Sequence, residues 1–223
     1  MAEVSVVIPV YNGARFLREA IDSVLGQRHP AREIVVVDDG STDGSRAIAE
    51  SYGDRIRLIA QPNGGVAAAR LKGIAHTSGA FIAYHDADDI MLPERLERQH
   101  DVLAGTTEFD FVIGAEWLFR DGEPIASFDD PEARKRCLRP GPTVGTAMIR
   151  RAAFDKYGLP RAELRIGDFV EWFSRVQRLG ARHAALAEPL MLRRIHANNL
   201  SRTSALDYAG LVKALRGPRD RAG

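Results

Sequence analysis

The first ninety residues alternate between dense apolar runs and amphipathic stripes. Val4–Val10 is continuous, apolar and rich in β-branched residues, and residues 34–37 repeat the pattern. Such runs are how strands covered on both faces of a parallel sheet read. Between them, Leu17, Ala20, Ile21, Val24 and Leu25 fall at i, i+3, i+4, i+7 and i+8, one helical stripe. Asn12 stands where it can cap that helix, and His29-Pro30 stops it. A second helix, with Asp43 as its cap, runs through Ala47 and Ile48 to about Tyr52. Arg57–Ala60 predicts a third strand, residues 66–76 a third helix after Asn63-Gly64-Gly65, and residues 80–85 a fourth strand. This β-α-β-α-β-α-β order predicts an α/β fold with a Rossmann-like, mostly parallel sheet flanked by helices.

Beyond residue 90 the pattern is less regular and predicts a mixed α+β half. Pro93 opens a helix carrying Leu96 and Leu103. Residues 109–118 and 124–128 flank Asp121-Gly122, a hairpin signal. A short helix over 131–137, a loop over 139–142, a strand over 144–150 and a short helix ended by Gly158 follow. Residues 167–179 predict a helix with Phe169, Val170, Phe173 and Val176 as core contacts and Gly180 as its stop. Strands over 183–187 and 190–195 meet at Pro189, and a final helix uses Leu206, Leu211, Val212 and Leu215. The 223 residues fit one domain in two halves, 1–90 and 91–203, with a C-terminal helix and tail (204–223).

Composition narrows the class. Hydrophobic residues make up 45% and charged residues 27%, as in ordinary globular proteins. A net charge of +1 gives no electrostatic reason to expect nucleic acid as a partner. Cys137 is the one cysteine, which excludes an intramolecular disulfide and a cysteine-based zinc site. No apolar run approaches the roughly 18 residues of a membrane span. The first residues lack the basic and long apolar regions of a signal peptide, so a cytoplasmic location is expected. A peripheral position at the inner membrane face is compatible with the same features.

Polar residues gather just after the predicted strands: Tyr11-Asn12, residues 38–43 and residues 86–89. In open α/β sheets, ligands sit beyond the carboxyl ends of the strands. No GxGxxG follows the first strand, which argues against a dinucleotide site. In FIAYHDADD an apolar strand ends in Asp86, Asp88 and Asp89. Asp86 and Asp88 are two apart and face the same way on extended chain. Hard oxygen donors so placed suit Mn²⁺ or Mg²⁺, with further ligands from water and a substrate phosphate. An acid-rich turn capping the next helix is the plainer alternative.

The motifs SVVIPVYNGARFLREAIDSVLGQ, VVVDDGSTDGS, NGGVAAARLKGI and YHDADDIMLPERL resemble, in order and spacing, the N-terminal half of family 2 glycosyltransferases. The likeness continues more loosely through GTAMIRRAAF, RIGDFVEWFSR and RRIHANNLS. The resemblance implies a GT-A fold, with 1–90 as the nucleotide-binding half and 91–203 as the acceptor-side half, and an inverting transfer of sugar from a nucleotide sugar, UDP-linked by expectation, to an acceptor hydroxyl. It also implies assistance by Mn²⁺ or Mg²⁺. A saccharide, a peptide or a lipid-linked sugar would serve as acceptor.

The resemblance implies roles residue by residue. The turn from Pro9 to Tyr11 contacts the base, the alternative for Tyr11 being the edge of the core. Asp39 accepts from the uracil ring N–H, and Asp38 holds its loop. Arg70 reaches the nucleotide or else lies on a helix surface; Leu71 stands where the family usually has Asn. Asp88 ligates the metal. Asp86 helps with the ribose or the metal, and Asp89 caps the next helix or orients Asp88. Asp168 is the general base, with a helix cap as its plainer reading and Glu171 as rival base. Trp172 is a sugar platform or core. His196 completes the metal site or lies in a surface loop, and His85 is the other histidine beside the acids. Two rival functions remain. A metal-dependent nucleotidyltransferase needs a longer Gly-rich basic loop than Tyr11-Asn12-Gly13. A silent nucleotide-sugar-binding domain needs no intact set of Asp39, Asp88, Asp168 and His196.

Overall fold

The computed structural model describes residues 3–122, 138–139, 144–164, 167–197 and 199. The expected strand over 124–128, the helix over 131–137, most of the loop over 139–142 and the C-terminal helix lie outside them.

The parallel half forms as its apolar runs require. β1 (Val4–Val10) pairs with β2 (Glu33–Asp38) over six residues and with β4 (Phe81–Tyr84) over four; β3 (Arg57–Ala60) adds to β2. All seven residues of β1 are buried. Helices α1 (Leu17–Leu25), α2 (Ser45–Glu50) and α3 (Val66–Ala75) connect these strands. Gly73 lets α3 lie flat on β1: a Cβ there would stand 2.3 Å from a Val7 methyl. β1 is the point where the winding reverses, with β2 and β3 on one side and β4 on the other. Pairing to β4 ends at Val7–Tyr84 and the His85 amide, so the crevice opens beside Pro9.

The remaining strands turn the sheet mixed. β8 (Met148–Arg150) runs antiparallel to β4. β6 (Phe111–Arg120) pairs antiparallel with β8 and with the short β7 (Leu138–Arg139), and parallel with β9 (His183–Ile195). β5 (Ile90–Met91) pairs antiparallel with the far side of β9. Along the main path the order is β3-β2-β1-β4-β8-β6-β9-β5. Helices α4 (Arg95–Gly105), α5 (Arg151–Tyr157) and α6 (Asp168–Arg178) complete the layers. One core lies between the sheet and α1, α2 and α4; the other, rich in aromatics, between the sheet and α3, α5 and α6.

Several local expectations change. Asn12 caps nothing: it sits at φ 50° and its Oδ1 accepts from the Thr42 amide, while α1 begins at Leu17 without a side-chain cap. Asp43 does serve the start of α2, accepting from the Ser45 amide, and it also takes the Ala14 amide. Leu25 and Val170 are exposed, because α1 and α6 bury narrower stripes than their spacing suggested. The two strands about Pro189 are one, β9, whose register against β6 shifts around Ala115; irregular pairing absorbs the proline. The first part of residues 144–150 is a 3₁₀ turn, Val144–Thr146. The dipeptide strand β5 is too short to leave a periodic signal.

Candidate active site

Three segments from distant parts of the chain meet at the carboxyl end of β4. The first is the loop of Asp86, Asp88 and Asp89. The second is Asp168, which opens α6 after Gly167 in the left-handed region (φ 71°). The third is the end of β9 with His196 and Asn199. Asp168 caps no amide with its side chain. Its carboxylate is instead held by Arg70 of α3: Nη1 donates to Oδ1 at 2.9 Å and to Oδ2 at 3.2 Å. The same guanidinium donates through Nη2 to Asp86 Oδ1 at 2.8 Å. Arg70 and Asp168 are both buried, so little solvent screens this pair. Burial by itself raises the pKa of Asp86, but Arg70 overcomes that and holds the carboxyl below its ordinary range. Tyr84 lies under the cluster; burial, then the Asp168 charge, push its phenol upward.

Asp88 has a different environment. Its Oδ2 lies 2.9 Å from His196 Nε2 and accepts from Asn199 Nδ2 at 3.2 Å. Burial and the neighbouring Asp86 charge raise its pKa, against the pull of His196. Asn199 also ties down the segment, accepting from the His196 amide at 2.6 Å and donating to the Arg194 carbonyl at 3.1 Å. The His196 ring packs on Phe16, with centroids 4.8 Å apart.

The glycosyl transferase family 2 model matches residues 5–158 of this chain. The chain belongs to that family. An uncharacterized glycosyltransferase of Rickettsia prowazekii is 42% identical over 110 residues, 49% of this chain and 35% of the relative. Thus the chain spans about a third of the length of that curated relative. Among solved structures, Staphylococcus aureus TarS in complex with UDP superposes with a TM-score of 0.69 at 21% identity, covering 96% of this chain and 64% of that one. A Pyrobaculum calidifontis mannosyltransferase in complex with GDP-Man and Mn²⁺ gives 0.71 at 19%, covering 95% and 64%. These likenesses establish the GT-A fold. The matched family span stops before Asp168 and His196, so those two residues are joined to the site by geometry.

For this family 2 chain, the remaining expected residues sort as follows. Pro9 is buried at the end of β1, in register with Val37. Tyr11 is 53% exposed and closes no core edge. Asp38 accepts from the Ser41 amide and holds its own loop. Asp39 is buried, and its carboxylate accepts from Gln61 Nε2 (2.7 Å) and the amides of Gly64 and Gly65 (2.8 Å each). It therefore braces the turn before α3, where Gly65 sits at φ 89°. A carboxylate offers about four lone-pair directions, so the three bonds leave one for a ligand.

The remaining residues sort as follows. Asp89 does not cap α4; its Oδ1 accepts from the Arg194 amide, tying the acid loop to β9. His85 turns to the opposite face, beside Ser23, as strand alternation requires after Tyr84. Burial and then the Arg95 charge push it down to about 3, which keeps it neutral. Trp172 is fully buried and donates to the Gly158 carbonyl at 2.7 Å, so it is core. Glu171 does not share the Arg70 cluster; its Oε1 pairs with Arg175 and Arg161.

Sequence reading missed three supports. Arg194 is sandwiched between Phe16 and Phe119, donates to the Asp88 carbonyl, and pairs with Glu19. Arg95 is fully buried and donates to the carbonyls of Tyr84 and Ala147 and to Gln99. Burial lowers it to about 9. The signal for Arg95 was available: Leu96, Gln99 and Leu103 share one helical stripe, so polar residues were already interrupting an inward face. Asn199, three residues after His196, was the third.

Whether these residues suit a metal turns on Asp88 and His196. Among the described residues no group of three His, Cys, Asp or Glu side chains is arranged to hold one. Asp88 and His196 nevertheless converge as one carboxylate and one imidazole, with Asn199 bracing both. That donor set fits Mn²⁺ and leaves other positions to water and phosphate oxygens.

Proposed function

We propose that this family 2 chain is an inverting glycosyltransferase that uses a nucleotide-sugar donor, with UDP as the expected nucleotide and Mn²⁺ or Mg²⁺ as the assisting ion. The observation that carries the reading is that the acid loop after β4 reaches two distant segments: Asp86 shares Arg70 with Asp168 of α6, and Asp88 contacts His196 just past β9. Pro9, Tyr11 and Asp39 form the nucleotide side: an exposed ring to stack on the base and a braced carboxylate to accept from its imide N–H. Arg70 and Asp86, which the resemblance assigns to the nucleotide sugar, are bonded to each other, and Arg70 also holds Asp168. Asp88 and His196 would hold the cation. When bound, it supplies Lewis-acid stabilisation of charge on the leaving diphosphate.

Asp168 accepts the proton of the acceptor hydroxyl. The hydroxyl oxygen then forms its bond to the anomeric carbon from the face opposite the diphosphate. The bond from that carbon to the diphosphate oxygen breaks, its electron pair leaves with the nucleoside diphosphate, and the anomeric configuration inverts. The nearby solved structures carry UDP in TarS and GDP-Man with Mn²⁺ in the mannosyltransferase. A carboxylate at Asp39 accepts from the uracil ring N–H, and guanine N1–H offers the same donor; UDP is the nucleotide the family resemblance implies, and the donor screen below separates the two. No helix among the described residues is long and apolar enough to cross a membrane.

The test is to incubate the protein with UDP-sugars and GDP-mannose plus Mn²⁺ and follow nucleoside diphosphate release. Release from one donor, suppressed by chelation and accelerated by a saccharide acceptor giving an inverted anomeric proton signal, is expected. A retained configuration, or no release from any donor, would overturn the reading.

A further inference from the structure

Arg70 is the sole partner of the Asp168 carboxylate among the described residues, and the same side chain is also the hydrogen-bond partner of Asp86. We infer that Arg70 is a positioning residue for the proposed base, acting on turnover through Asp168 rather than through donor affinity. This rests on the glycosyltransferase reading above.

Three observations carry the inference. First, Asp168 begins α6 without capping an amide, so nothing in its own helix sets its rotamer. Arg70 contacts both of its oxygens and thereby fixes the plane of the carboxylate. One lone pair on each oxygen stays available for an acceptor proton. Second, Arg70 has little room to swing elsewhere. α3 lies against β1 at Gly73, one turn on, and the guanidinium is itself buried. Its Nη1 is spent on Asp168 and its Nη2 gives one N–H to Asp86, while the Nε–H is buried away from the cluster's acids, so most of the fork is committed to the two carboxylates. Third, the planar fork serves two carboxylates from different halves of the chain: Asp86 on the donor side and Asp168 on the acceptor side. A lysine carries a point charge and cannot reproduce that fork.

The experiment compares wild type, Arg70→Met, Arg70→Lys, Asp168→Asn and the Arg70→Met/Asp168→Asn double variant, measuring kcat, donor KM and calorimetric UDP affinity. Misplacing a reacting group by about 1 Å can lower rate about 100-fold, so a kcat loss of that order is expected for Arg70→Met. Donor KM and UDP affinity should move less than about threefold, well short of a lost bidentate contact. Arg70→Lys should recover part of the rate. In the Asp168→Asn background, Arg70→Met should cost little more, because its route of action is gone. A tenfold or larger rise in donor KM and UDP dissociation constant at unchanged kcat would overturn the inference and make Arg70 a nucleotide contact. An undiminished Arg70→Met loss in the Asp168→Asn background would overturn it too. If Arg70→Met does not fold, Arg70→Lys carries the same split between kcat and KM. A wild type that turns over no donor would sink the glycosyltransferase reading first; an active wild type with the contrary pattern sinks only this inference.

Discussion

Asp86 and Asp88 stand two residues apart on one loop, yet their surroundings push their carboxyls in opposite directions. Asp86 faces a buried guanidinium and is held below its ordinary range; Asp88 faces an imidazole and is raised by burial and by Asp86. The permanent counter-charge for Asp86 is built into the protein. The partner of Asp88 is an imidazole, which has the chemistry of a metal ligand. A pair of acids that looks equivalent in sequence therefore divides into one spoken for internally and one suited to a cation from outside. The division comes from the partners: α3 supplies one, the end of β9 the other.

The sharpest way to break this comparison is on the Arg70 side. Asp168→Asn should lower turnover by about 10²–10⁴, the usual contribution of a general base. UDP affinity measured by calorimetry should stay near wild type. Loss of donor affinity at constant turnover would move Asp168 to the nucleotide side. On the Asp88 side, Asn199→Ala removes a support without touching either proposed ligand. Manganese-dependent UDP binding should weaken by about 10–100-fold, as for other residues that orient metal ligands. An unchanged manganese titration would make the Asn199 contacts irrelevant to the site.

Tyr11→Ala should weaken UDP binding by about 1–3 kcal/mol, the range for an aromatic stacked on a base, with turnover at saturation retained. A titration identical to wild type would remove Tyr11 from the donor pocket. The smallest expected change separates the cleft from the core beneath it. Trp172→Phe leaves the Gly158 carbonyl without its buried donor and should lower unfolding free energy by about 1–3 kcal/mol in urea melts. Its KM for acceptor should stay the same; a large acceptor defect would restore the sugar-platform alternative.

The parallel half was legible because β1, β2 and β4 are covered on both faces, which leaves continuous apolar runs. Their polar ends fall at the carboxyl edge of the sheet, where β1 and β4 part. What could not be read was the pairing of side chains across large sequence distances. Nothing local in AAARLKG shows that Arg70 turns inward to an acid 98 residues away. Asn12 and Asp89 were expected to cap helices, but each has a stronger tertiary use as a tie between loops. The mixed half was harder because β5 and β7 are dipeptides and β9 shifts register around a proline. Such strands exist through their neighbours and not through their own periodicity.

The central claim is that Asp88 and His196 form the cation-dependent part of a nucleotide-sugar site. Calorimetric titration of UDP into the wild-type protein, with Mn²⁺ and with chelator, tests it directly, with Asp88→Asn run alongside. Mn²⁺ should tighten UDP binding by about tenfold or more in the wild type, roughly 1.4 kcal/mol, and have no effect in the variant. Equal UDP affinity with and without Mn²⁺ in the wild type would contradict the account.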